Sequence, residues 1–87
     1  MVRRDIDYRI TALEDRLRGK PWDIIAGLHD VDKVAAQRRV QEAIEVIART
    51  LKLPIATLAE AEEAPKLWLR RVESHRAVVN RFRRAGA

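Results

Sequence analysis

Apolar residues recur along this chain at steps of three and four, which is the signature of helices with one buried stripe. Ile6, Ile10, Leu13 and Leu17 form the first such stripe, and the spacing predicts a helix over about 2–18. Asp5 and Asp7 stand near its start and Arg16 and Arg18 near its end, as the helix dipole prefers. Gly19, Lys20 and Pro21 stop it. A short second helix, "PWDIIAGL", follows with Pro21 in its first turn and Trp22, Ile25 and Leu28 expected to face inward.

The longest pattern covers about 32–53, capped by Asp30 or Asp32. Ala36, Val40, Ala43, Ile44, Ile47 and Leu51 make its apolar face. Arg38–Glu42 and Glu45–Arg49 are expected to form i,i+4 pairs on its solvated back, and Val34 and Val46 lie off the main face. Pro54 breaks the pattern. "PIATLAEAEEA" then reads as a short helix with Ile55 and Leu58 inward and Glu60, Glu62 and Glu63 outward. Pro65 opens a last helix over about 65–85. There Trp68, Val72, His75, Val79 and Phe82 fall within about 80° of one another on a helical wheel.

These elements add up to one all-α domain over 1–87, a compact helical bundle of three longer helices with one or two short connecting helices. The four-three spacing of the first and last helices predicts coiled-coil-like seams. A chain of this size buries only roughly 60–65% of its unfolded surface, so some seams are expected to close between subunits of a homodimer. With no cysteine there is neither a disulfide nor a thiolate metal site. The two histidines, His29 and His75, stand far apart, so no metal or other cofactor is expected. No apolar run reaches the ~20 residues of a membrane span, and "MVRRDIDYRI" lacks the apolar core of a signal peptide. The expected setting is the cytoplasm.

Charge changes the picture along the chain. The net charge is +5, but residues 21–65 hold five bases against eight acids, while residues 66–87 hold seven bases against one acid. "KLWLRRVESHRAVVNRFRR" carries all seven of those bases, and a helix with cations along one side can follow a phosphate backbone by displacing its counterions. The candidate nucleic-acid contacts are Lys66, Arg70, Arg71, Arg76, Arg81, Arg83 and Arg84. Glu60, Glu62, Glu63 and Trp68 are the candidate contacts to a protein partner. The bland account of the same charges is a solvated helix back, with late cations favoured by the dipole.

Two resemblances bear on function. "AIEVIARTLKLPIATLAEAEE" resembles a helix-turn-helix in the placing of Ile47, Ala48, Leu51, Leu53, Ile55, Leu58 and Ala61. Lys52 occupies the turn position where glycine is usual, and the second helix shows three glutamates, which a polyanion repels. "RRDIDYRITALEDR" resembles the first helix of chorismate mutases, in which that helix runs on unbroken, whereas Gly19–Pro21 ends it here. No phosphate loop or nucleophile elbow is present, and Ser74 and His75 are adjacent and so diverge on a helix. The expectation is therefore binding rather than catalysis. First comes a small nucleic-acid-associated or regulatory protein. The alternative is a protein–protein adaptor or inhibitor, a small phage-type accessory factor that docks on a larger complex through its charged helices.

Overall fold

The computed structural model describes residues 7–85, with side chains through Arg83. Residues 2–6 of the predicted first helix, Ile6 among them, lie outside the described residues. The described chain contains five helices and no strand. They are α1 (Tyr8–Leu17), α2 (Trp22–Leu28), α3 (Lys33–Thr50), α4 (Leu58–Glu63) and α5 (Pro65–Ala85). This is the all-α bundle of three longer and two short helices that the periodicity predicts.

The starts of α1, α3 and α4 each follow from a side chain that takes up an orphan N–H of the first turn. Asp7 caps α1 by accepting from the Arg9 N–H, Asp32 caps α3 by accepting from Ala35, and Thr57 caps α4 by accepting from Glu60. The ends of α1, α2 and α3 share one device. Gly19, Asp30 and Lys52 take left-handed backbone, with φ of 94°, 54° and 55°. Behind them the N–H groups of Lys20, Val31 and Leu53 reach back to the carbonyls of Asp15, Ala26 and Ala48. These are Schellman closures.

Glycine takes this conformation without penalty and Asp tolerates it, but Lys52 has no such licence. Its side chain is exposed, so shortening it sacrifices no packing. Lys52→Gly is expected to stabilise the fold by about 0.5–1 kcal/mol, net of the added freedom of the unfolded chain. A urea titration followed by circular dichroism would show it, and an unchanged or lower midpoint would count against a strained Lys52.

The core is built on α1 against α3, the most extensive helix contact, and α2, α4 and α5 pack around that pair. Leu13, Ile25, Val40, Ile44, Ile47, Trp68 and Val72 are its largest wholly buried side chains. Ala12, Ala36 and Ala43 are buried completely, and their small size lets the helices approach closely. Polar links fix the outer helices on this pair. Gln41 Oε1 accepts from the Leu58 N–H at 3.2 Å, which seats the start of α4 on α3. Arg16 meets Glu62 at 3.4 Å, and its guanidinium lies 4.5 Å from the Trp22 ring centre. Arg76 donates to both oxygens of Glu14 at 3.0 and 3.2 Å, joining α5 to α1.

Several sequence expectations need correction. α3 ends at Thr50 rather than near 53, because Lys52 closes it. α4 begins at Leu58 rather than Pro54, so residues 53–57 are not helical and the helical register assigned to them does not apply. Ala56 is buried there, and Ile55 is 91% exposed instead of facing inward. Leu28 is 62% exposed, since α2 buries Ile25 and Ala26 and Leu28 falls off that face. Phe82 is 74% exposed, since no described residue covers it although it continues the apolar stripe of α5. Neither Arg38–Glu42 nor Glu45–Arg49 closes as an ion pair among the described residues; Glu42 instead bears on Arg9 of α1. The connection from α3 to α4 spans residues 51–57, longer than the three or four residues of a helix-turn-helix.

Candidate nucleic-acid interface

α5 is held by one face. Trp68 and Val72 are in the core and His75 is buried, while Leu69, Val78 and Val79 are half-buried. The opposite side carries Lys66, Arg70 and Arg81, all exposed, with Glu73, Ser74 and Ala77 between them. None of these three cations has an acidic partner among the described residues.

The other predicted contacts divide. Arg71 is half-buried and lies over Trp68 with its guanidinium carbon 4.7 Å from the ring centre. Arg76 is engaged by Glu14 through the bidentate pair, so it braces α1 against α5 and its charge is partly neutralised there. Arg83 is exposed on another side of the helix, and the side chain of Arg84 lies outside the described residues. Trp68, at 2% exposure, is a core residue and not a surface anchor for a partner. Glu60, Glu62 and Glu63 are exposed on α4 as expected, with Glu62 engaged by Arg16. They precede the N-terminus of α5, where negative charge suits the dipole.

A second feature, which no pattern along a single helix marks, is an open cleft of about 840 Å³ between the N-terminal turn of α1, the middle of α3 and the second half of α5. Among the described residues four arginines line it, Arg9, Arg39, Arg76 and Arg83, with Asp7 and Glu42 as the acids. Arg9 is held by Asp7 through Nε at 3.2 Å and Nη2 at 3.1 Å. Arg39 is half-buried and makes no ion pair or hydrogen bond with a described residue. His75 also lines the cleft; it is 5% exposed, and its Nδ1 is buried without a hydrogen-bond partner.

The local charges are set by these contacts. Burial pushes the Asp7 carboxyl up, but the Arg9 side chain, the Arg9 and Ile10 N–H groups and the Arg9 charge together hold it below its ordinary value. Glu14 is lowered chiefly by its hydrogen bonds from Arg76, against a smaller opposing effect of burial, with the Arg76 and Arg18 charges adding to it. Burial lowers His75, Asp7 opposes this, and the Arg76 and Arg9 charges lower it further. Its imidazole is therefore neutral at pH 7.

Among the described residues no group of three or more His, Cys, Asp or Glu is placed to hold a metal ion, and no helix is long and apolar enough to cross a membrane. No family model, curated protein or solved structure matches this chain.

The outer face of α5 was legible because it is a local pattern on one helix. The cleft was not, because its walls come from three helices that only tertiary packing brings together. The one signal pointing to it was His75, a polar residue in the middle of an otherwise apolar stripe.

Proposed function

We propose that this protein associates with nucleic acid through the outer face of α5, with Lys66, Arg70 and Arg81 as its phosphate contacts. The observation that supports this reading is that Lys66, Arg70 and Arg81 are exposed on one side of a single helix with no acidic partner among the described residues. Along α5 these positions span about 22 Å at 1.5 Å per residue. Duplex DNA presents a charge every ~1.7 Å of axis, so each of the three cations has phosphates within reach. As phosphate contacts these three cations carry no base information, and the binding is of the backbone-tracking, sequence-tolerant kind. A homodimer would present twice as many cations. The exposed Phe82 at the end of the α5 seam is where a second copy would pack, and sedimentation equilibrium measures that directly.

Fluorescence anisotropy with a labelled generic duplex and a labelled single strand, over a range of salt, tests the reading. The wild type should bind with a steep salt dependence. A Lys66→Ala/Arg70→Ala/Arg81→Ala variant should lose about 2–3 units of the log–log slope on duplex, at ~0.9 per phosphate contact. Absence of salt-sensitive binding at low ionic strength would defeat it.

The second reading, a protein adaptor or inhibitor, draws on a different observation. Ile55, Phe82, Val34 and Leu28 are large apolar side chains left exposed on the same molecule as the acidic α4. Apolar anchors beside a charged rim are what a docking surface needs. Failure to bind any nucleic acid, with co-purification of one stoichiometric protein that Ile55→Asp releases, would favour it.

A further inference from the structure

We propose that the cleft between α1, α3 and α5 binds a small organic anion, a phosphate or carboxylate carried on an apolar body, seated against His75. This site is separate from the outer face of α5 and does not depend on the nucleic-acid reading. Three observations converge on it. The cleft, at about 840 Å³, has the size of small-molecule sites. Among the described residues its wall is cationic, with four arginines against two acids. His75 is buried there with an unpartnered ring nitrogen, in a molecule whose other described buried side-chain polar atoms are all satisfied. Unpaired buried polar atoms are rare in folded proteins, and a binding site is one of the few settings that retains them.

The arginines are arranged to receive an anion. Arg39 is uncommitted and supplies a full guanidinium fork suited to a carboxylate or phosphate. Arg9 and Arg76 are already fixed by Asp7 and Glu14, which orients their planes in advance. Each guanidinium has five N–H donors, so both keep donors beyond those in the ion pairs. Ile10, Val79 and the Tyr8 ring supply the apolar part of the lining, which inorganic phosphate alone would leave unused. The two lining carboxylates do not turn this into a cation site. Asp7 is occupied by Arg9, and Glu42 stands within the field of the same arginine.

The probes are phenyl phosphate and benzoate, with inorganic phosphate and phenol as half-ligands, titrated into the full chain and followed by backbone amide NMR shifts. Phenyl phosphate or benzoate should saturate, with shifts centred on Tyr8–Thr11, Arg39 and His75–Asn80, and should bind more tightly than either half-ligand. Which of the two binds better identifies the anionic group. Arg39→Ala should weaken binding about tenfold or more, as expected for one charged hydrogen-bonding partner, while Arg39→Lys should retain part of it. Lys66→Ala/Arg70→Ala/Arg81→Ala should leave it unchanged, which separates this site from the outer face of α5. The proposal is overturned if no probe binds at millimolar concentration, if the shifts map instead to Lys66, Arg70 and Arg81, or if a folded Arg39→Ala binds as the wild type does.

Discussion

Replacing Trp68 by alanine is expected to remove roughly 3–5 kcal/mol of stability, the range for truncating a large buried aromatic. The indole is 2% exposed, and Trp68 belongs to the same cluster as Leu13, Ile44 and Ile47. It sits in the first turns of α5, where α4 hands over to α5, and nothing else of its volume is available to fill that position. Arg71 lies over its ring and would lose that support. For a chain of 87 residues the whole folding free energy is of the order of 4–13 kcal/mol at ~0.05–0.15 kcal/mol per residue. The substitution therefore threatens a large part of it. Trp68→Phe keeps an aromatic body and should lose much less. Urea denaturation followed at the helical circular-dichroism band is the suitable readout, since the substitution also changes the fluorescence. A loss under about 1 kcal/mol would mean that Trp68 is not the anchor its burial makes it.

How well the sequence could be read depended on how far each element follows its own periodicity. In α1, α3 and the first half of α5 the apolar stripe and the buried face coincide: Ile10, Leu13 and Leu17; Ala36, Val40, Ala43, Ile44 and Ile47; Trp68 and Val72. These segments are long enough for a helical period to be unambiguous. The reading fails where the chain leaves the helix or the helix leaves the bundle. Ile55 lies in a stretch that is not helical, where a helical register does not apply, and Phe82 continues a perfect stripe that no described residue covers. Periodicity states which side of a helix is apolar and says nothing about whether another element reaches that far. The same limit explains the site. The exposed cations of α5 are neighbours in sequence, and their common face follows from helix geometry. The pairing of Arg76 with Glu14, 62 positions apart, does not, and neither does the meeting of Arg9, Arg39 and His75 across three helices.

His75 carries the second large effect, and its direction runs against habit. His75→Leu is expected to stabilise the protein by about 1–3 kcal/mol at neutral pH, because it replaces a buried nitrogen that has no partner with an apolar side chain of similar size. For a domain of this length that corresponds to a rise in Tm of at least ~4 °C. The pH dependence should change with it. Burial, the largest influence, lowers the imidazole below its ordinary value of 6.5; Asp7 opposes this, and the charges of Arg76 and Arg9 lower it further. Among the described residues, Arg39, Arg83, Glu42 and Tyr8 are the remaining charged or titratable groups around the same cleft. Between the folded and the unfolded value the unfolded chain binds more protons, so stability rises with pH in that window and levels off above about 6.5. Acidification from neutral pH should therefore weaken the wild type before any carboxylate titrates. The lowered Asp7 and Glu14 act only further down, below their ordinary values of 3.8 and 4.5. In His75→Leu the upper step should vanish and the lower one remain. Thermal melts of both proteins from pH 7.5 down to 3.5 would separate the two steps. A His75→Leu variant that is less stable than the wild type and keeps the slope just below 6.5 would show that the ring has partners when folded and that another group titrates there. A variant that is more stable but no longer takes up phenyl phosphate or benzoate would place the cost of the unpaired imidazole where binding requires it, the usual exchange of stability for function at a site.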